Sequence, residues 1–236
     1  MPTKTIQKKI SELTETILKS MPFFFESNEL AYITLQSKNE LQIRDKFAWK
    51  MQCELDKLYG FGSYVVRREW SKQGRWKVDI AILKMNDDGE MASVIALMEF
   101  KAHHCLNKEQ WPKKAFPKDV KKMCTFIECN DVDLYFIFLH TSIGKNNSFP
   151  DFVTYKNFYK NCSVYKGITD KQYIKDMTQY WDDMFYTNPK ISFISKTNIK
   201  KSVPIIAPIG ISFGYDFYIS SMIWGPVKAS AVKIIP

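Results

Sequence analysis

The chain has 236 residues, 45% of them hydrophobic and 25% charged, so it can bury a substantial core and does not belong to the disordered class. Its formal net charge of +9 is unevenly placed: residues 1–100 carry 15 Lys and Arg against 14 Asp and Glu, and residues 101–236 carry 19 against 11. A basic excess of this kind favours a polyanionic partner such as nucleic acid, because neutralised phosphates release counterions, although lysine-rich surfaces also serve solubility alone.

Five cysteines (Cys53, Cys105, Cys124, Cys129 and Cys162) form no CxxC pair, which fits reduced thiols in the cytoplasm better than a disulfide framework or a zinc site. Lys4, Lys8 and Lys9 are followed by no apolar stretch of the signal-peptide kind. The Asn-x-Ser triplets at Asn146 and Asn161 therefore carry no weight. Val203–Val227 is apolar but interrupted by Pro204, Pro208, Gly210, Gly214, Asp216 and Pro226, so buried strands explain it better than a membrane span. A soluble protein is expected.

In chain order, Ile6, Ile10, Leu13, Ile17 and Leu18 predict a helix over Thr5–Lys19, stopping before Met21-Pro22. Phe23–Gln36 is ambiguous. Ser37-Lys38-Asn39-Glu40 has the form of a capping box, and Leu41, Ala48, Met51, Leu55 and Leu58 then predict an amphipathic helix ending near Gly60. Tyr64–Glu69, Trp76–Leu83 and Ala92–Lys101 read as three strands, the last two joined by a turn at Asn86-Asp87-Asp88-Gly89. Lys118–Cys129 reads as a helix and Leu134–His140 as a buried strand, so an α/β fold with a mixed sheet flanked by helices is expected. Thr169–Tyr186 predicts a further helix, and Ile191–Ile235 predicts short strands. The division that follows is an N-terminal helical extension (1–36), a core (37–145) and a C-terminal α+β elaboration of the same domain (146–236).

Strand alternation puts Asp79 on one face of its strand, and Glu99 and Lys101 together on one face of theirs. If the two strands pair antiparallel through the 86–89 turn, Asp79 and Glu99 converge with Lys101 beside them. Two carboxylates and an ammonium on such apolar strands are costly unless they compensate one another or hold a metal. Phosphodiester hydrolysis has a use for the set. Carboxylates suit Mg²⁺, which lowers the pKa of an attacking water, and a lysine orients that water or stabilises developing charge.

Val78-Asp79, followed 20 positions later by Glu99-Phe100-Lys101 at the end of an apolar strand, resembles the PD-(D/E)xK superfamily of restriction-endonuclease-like nucleases. The resemblance spans roughly residues 37–140 and departs at Val78, where the family pattern has proline. It implies an αβββαβ core, Asp79 and Glu99 as ligands of Mg²⁺ (Mn²⁺ substituting), Lys101 in catalysis, and a DNA endonuclease of restriction or repair type. A homodimer is compatible with cutting both strands of a duplex. The family often adds a helix carboxylate; Glu40 is the choice here, with Asp45 and Glu54 as alternatives. Glu54 lies 14 residues beyond Glu40, about 21 Å along a helix, so these two cannot share an ion. The competing reading of Glu40 is a helix-capping acid.

Arg67, Arg68, Arg75 and Lys77 around the first hairpin are candidate phosphate contacts, as are Lys113, Lys114, Lys118 and Lys121. Lys108, Lys122, Trp111 and Phe116 lie in the same downstream stretch, where aromatics can stack on unpaired bases. Each has an ordinary surface or core reading as well. His103-His104-Cys105 lacks a partner at metal-ligand spacing, leaving His103 as an accessory candidate only. The rival to a nuclease is a catalytically silent nucleic-acid-binding module of the same fold; a protein-binding factor with a solubilising charge is a third reading.

Overall fold

In the computed structural model the residues described are 4–26, 28–36, 39–71, 77–103, 118–119, 122–123, 132–143, 171, 175, 179, 191–193, 205–212 and 215–234. Three helices come first: α1 (Lys4–Ser20), α2 (Glu29–Gln36) and α3 (Glu40–Tyr59). The strands are β1 (Tyr64–Trp70), β2 (Val78–Met85), β3 (Met91–His103), β4 (Asp133–Ile143), β5 (Ile191–Phe193), β6 (Ile205–Ser212), β7 (Tyr215–Lys228) and β8 (Val232–Ile234). Six of them form one mixed sheet in the order β1-β2-β3-β4-β7-β6, while β5 and β8 pair separately.

The sheet follows from the connections. The Asn86–Gly89 turn closes with the Gly89 amide on the Asn86 carbonyl at 3.1 Å, and Gly89 takes the positive φ of 79° that suits a residue without Cβ. It therefore sets β2 and β3 antiparallel, with Ile80 opposite Met98 and Ile82 opposite Ala96. β3 and β4 are parallel, from Ala96 opposite Asp133 to His103 opposite His140. A parallel pair needs a crossover connection. Residues 104–132 supply it, and Lys118, Asp119, Lys122 and Met123 within it are helical. The expected α/β class with a mixed sheet is present, and among the described residues the order runs α3, β1, β2, β3 and β4. β7 then pairs antiparallel with β4, so the C-terminal strands extend the same sheet.

One sheet face is covered by the N-terminal helices. Ile10, Leu18, Leu30, Ile43, Phe47 and Met51 pack with Ile80, Ile82, Met98, Phe100, Tyr135 and Ile137 in a single core. The opposite face carries Ala81, Leu83, Leu97, Leu134, Phe136 and Phe138, all buried as well. Sheets buried on both faces read as continuous apolar runs rather than alternations, as β3 and β4 do.

α3 differs from expectation in two respects. It begins at Glu40 with Asn39 as cap, and the Asn39 amide nitrogen donates to Thr34 Oγ at 2.9 Å. Its buried stripe is Ile43, Phe47, Met51 and Leu55, whereas Leu41 and Leu58 are exposed. The i, i+4 row faces the sheet, and Leu41 and Leu58 fall to its flanks. Gln52 of α3 also completes the edge of the sheet, its amide nitrogen donating to the Tyr64 carbonyl (2.9 Å) and its oxygen accepting the Val66 amide (2.7 Å). Covering an edge strand in this way removes a template for pairing with another chain. Among the described residues no helix is long and apolar enough to cross a membrane.

Where β7 crosses β4, Gly225 takes φ +130°, and a Cβ there would lie 2.5 Å from the Leu134 carbonyl oxygen and 3.1 Å from the Tyr135 ring. Gly225→Ala is therefore expected to lose about 1–3 kcal/mol of stability. An unchanged urea midpoint would show that the β4–β7 contact is looser than this.

Candidate active site

β2 and β3 pair only as far as Ile80 and Met98, and β3 continues to His103 alongside β4. Beyond the last β2 pairing, the β3 amides need acceptors from elsewhere, because an unpaired buried N–H is expensive. Two carboxylates provide them. Asp79 Oδ2 accepts the Phe100 amide at 2.8 Å, and Glu40 Oε2 accepts the Ala102 amide at 2.7 Å. The strands thus part into a fork, and the acids that line it are held there by backbone donors.

The other side of the fork is set by β1. Its register with β2 runs from Arg68 opposite Ile80 to Trp70 opposite Val78, with Glu69 between them at φ +47°. That left-handed conformation is sparsely used by residues with a side chain. Arg44, on the inner side of α3 and only 6% exposed, joins the two strands. Its guanidinium lies 3.3 Å from Asp79 Oδ1, 3.6 Å from Glu69 Oε1 and 3.3 Å from Asp45 Oδ1. Asp45 is also paired with Arg68.

Glu99 and Lys101 point to the face away from the α1–α3 core, as alternation requires. Glu99 is 2% exposed, and a carboxylate so deeply buried has to be compensated. Lys101 Nζ lies 2.8 Å from Glu99 Oε1, and Lys122 Nζ lies 2.8 Å from both Oε1 and Oε2. Asp119, one helical turn before Lys122, completes the cluster at 3.4 Å from Lys101 and 3.7 Å from Lys122.

The charges act on one another across the fork. Burial, and then the negative charge of Glu99, pushes the Asp79 carboxyl above the usual aspartate range, against the Phe100 amide, Lys101 and Lys122. Burial alone would lower the Lys101 ammonium, but the Glu99, Asp119 and Asp79 carboxylates outweigh it and hold Lys101 above the ordinary lysine value. Lys101 is therefore a proton-bearing cation at any physiological pH.

Asp79 and Glu40 each accept a β3 amide at this fork, and Asp79 is coupled electrostatically to Glu99 and Lys101. Arg67 and Arg68 are exposed on β1 and, with Arg44, Val66 and Glu69, line a concavity of about 480 Å³ beside it. Lys77 is exposed and pairs with Glu69 at 3.4 Å; Lys118 is exposed on the crossover. Glu54 pairs with Lys57 instead (2.6 Å), and His103 closes β3. Arg75, Lys108, Trp111, Lys113, Lys114, Phe116 and Lys121 lie outside the described residues. Three site residues escaped the sequence: Arg44, Asp119 and the position of Lys122. Arg44 carried a signal, since it falls one position after Ile43 inside the buried stripe of α3.

Among the described residues no group of three or more His, Cys, Asp and Glu side chains stands at metal-holding spacing. The set to weigh is the pair Asp79 and Glu99, and Mg²⁺ commonly takes one or two carboxylates with waters filling the remaining positions. The pair fits in one specific respect: two buried, mutually repelling carboxylates are what an intervening cation relieves. No family model matches the chain, and no curated protein or solved structure matches it either.

The raised Asp79 pKa has a consequence for stability. Between that value and the ordinary 3.8, folded chains hold a proton that unfolded chains release, so wild-type stability rises as pH falls through this window. Asp79→Asn keeps an acceptor for the Phe100 amide and removes the charge. It should raise the denaturation midpoint at pH 7, with the gain shrinking through the window and vanishing below pH 3.8. A lower midpoint for the variant at pH 7 would mean that the Arg44 contact outweighs burial.

Proposed function

We propose that this chain is a divalent-metal-dependent nuclease of the PD-(D/E)xK, restriction-endonuclease-like kind, hydrolysing phosphodiester bonds, with DNA as its substrate and restriction or repair cleavage as its role. The observation that carries the reading is the meeting of Asp79 and Glu99, with a protonated Lys101 beside them, where β2 and β3 part. Two further features support it: the α3–β1–β2–β3–crossover–β4 order, with β3 and β4 parallel, and a basic concavity beside the acids.

In this mechanism Asp79 and Glu99 are the ligands of Mg²⁺ or Mn²⁺. When bound, the ion supplies Lewis-acid polarisation of the scissile phosphate and a lowered pKa for the attacking water. Lys101 does not take the water's proton, because the surrounding carboxylates keep its ammonium charged. It acts as a donor instead, orienting the water or neutralising charge on a non-bridging phosphate oxygen. Glu40 fixes the end of β3 through the Ala102 amide and so holds Lys101 in line. Arg67 and Arg68 face the approach to the fork, where contacts to the phosphate backbone position a substrate without reading its sequence.

One observation favours a second reading. Both oxygens of Glu99 are held by lysines, which is how a compensated cluster in a silent nucleic-acid-binding module would look. Cleavage of plasmid and single-stranded DNA with Mg²⁺ or Mn²⁺ separates the two. Wild type should cut only with metal, Asp79→Ala should abolish cutting, and Lys101→Ala should reduce it on the order of 100- to 1000-fold. Salt-sensitive DNA binding, with neither cleavage nor calorimetric metal binding, would select the silent module.

A further inference from the structure

The crossover places Lys122 in a position that the proposed chemistry does not require. Its Nζ bridges both oxygens of Glu99 at 2.8 Å, while Lys101 already compensates Oε1 from the neighbouring position on β3. A divalent ion on a Glu99 oxygen sits ~2.0–2.1 Å from it. An ammonium 2.8 Å from the same oxygen is then no more than about 5 Å from the ion. Solvent screens little there, since the Glu99 side chain is 3% and the Lys122 side chain 12% exposed. With Lys101 already 2.8 Å from Oε1, a divalent ion and a second ammonium on the same carboxylate repel one another and compete for it.

Resting on the metal-centre reading above, we propose that Lys122 is a built-in competitor for the metal position on Glu99: its ammonium holds the carboxylate in the metal-free protein, and a divalent cation binds as Lys122 withdraws.

The geometry says which lysine leaves. Lys101 is fixed to β3 and lies under the combined pull of Glu99, Asp119 and Asp79. Lys122 sits on a separate element, the helical part of the crossover, and not on the sheet that fixes Lys101. Asp119 Oδ1, 3.7 Å from Lys122 Nζ and one turn earlier on that element, is an acceptor already within reach when Glu99 is given up. Lys122 thereby satisfies a buried carboxylate when no metal is present, and metal binding becomes linked to the crossover. The apparent affinity for metal is reduced by the fraction of molecules in which Lys122 has withdrawn, the usual consequence of a binding-competent state that is a minor one.

The test uses the full chain and Mn²⁺ alone, titrated calorimetrically into wild type, Lys122→Met and Lys122→Arg, with Asp79→Ala locating the binding at the fork. Lys122→Met, which keeps the aliphatic stem and loses the charge, should bind Mn²⁺ about 10-fold more tightly, and Lys122→Arg no more tightly than wild type. A second readout needs no variant. Acylation of Lys122 by an amine-reactive ester, followed by mass spectrometry, should accelerate several-fold at saturating Mn²⁺ in wild type. The exposed Lys118 serves as the internal reference and should not change. Equal Mn²⁺ affinity in wild type and Lys122→Met, or a Lys122 acylation rate indifferent to bound Mn²⁺, overturns the competitor and leaves the metal centre standing. Absence of Mn²⁺ binding in wild type and Lys122→Met alike overturns both.

Discussion

The parting of β2 from β3 after the Ile80–Met98 pair governs the site. A strand that runs on without its neighbour exposes amide groups, and in a buried region those donors must be met. Here they are met by carboxylates, from Asp79 on β2 and from Glu40 at the start of α3. The fork therefore fixes two acids beside the last residues of β3. It also explains why α3 docks where it does: its first turn supplies an acceptor, its middle packs on the core through Phe47 and Met51, and Gln52 closes the β1 edge.

Acids gathered in this way create an electrostatic demand that the rest of the structure answers. Arg44 stands between Asp79, Glu69 and Asp45 on the α3 side, and Lys101 and Lys122 stand against Glu99 and Asp119 on the crossover side. Buried ion pairs of this kind contribute little net stability, since desolvation offsets most of the Coulomb attraction. Their effect is to hold charge of fixed sign in fixed places. The upward shift at Asp79 shows that compensation is incomplete there, with burial and Glu99 outweighing the nearby lysines. One acid thus keeps an unfavourable charge while the other is tied up behind two ammonium groups, one from β3 and one from the crossover.

The remaining architecture serves to keep the fork rigid. β3 and β4 are buried on both faces, and β7 crosses β4 closely enough that Gly225 leaves no room for a methyl group against the Leu134 carbonyl. The C-terminal strands are thus sheet extension in structural terms, widening the platform on which β3 rests. Positioning a few charged groups on the central strands of a wide sheet holds them more firmly than loops would.

Much of this was legible in the residues. Alternation assigned Asp79, Glu99 and Lys101 to their faces, the Asn86–Gly89 turn set β2 and β3 antiparallel, and the apolar length of Leu134–His140 marked a buried strand. These are short-range properties, fixed by the two-residue period of a strand and by turn chemistry. The helix gave less. Leu41 and Leu58 fit an apolar period yet lie exposed, because only packing against the sheet chooses among neighbouring rows of a helix surface. In sequence Arg44 is only a charge beside Ile43, Asp119 stands out in no way, and Lys122 is one of a run of lysines able to meet phosphates. Their partners lie 35 residues away for Arg44 and 23 for Lys122, across connections whose paths no local pattern encodes. The sequence by itself determined which strands would bear the acids and the lysine; only the tertiary structure decided where β2 would leave β3, and so which distant side chains a buried carboxylate would find to compensate it.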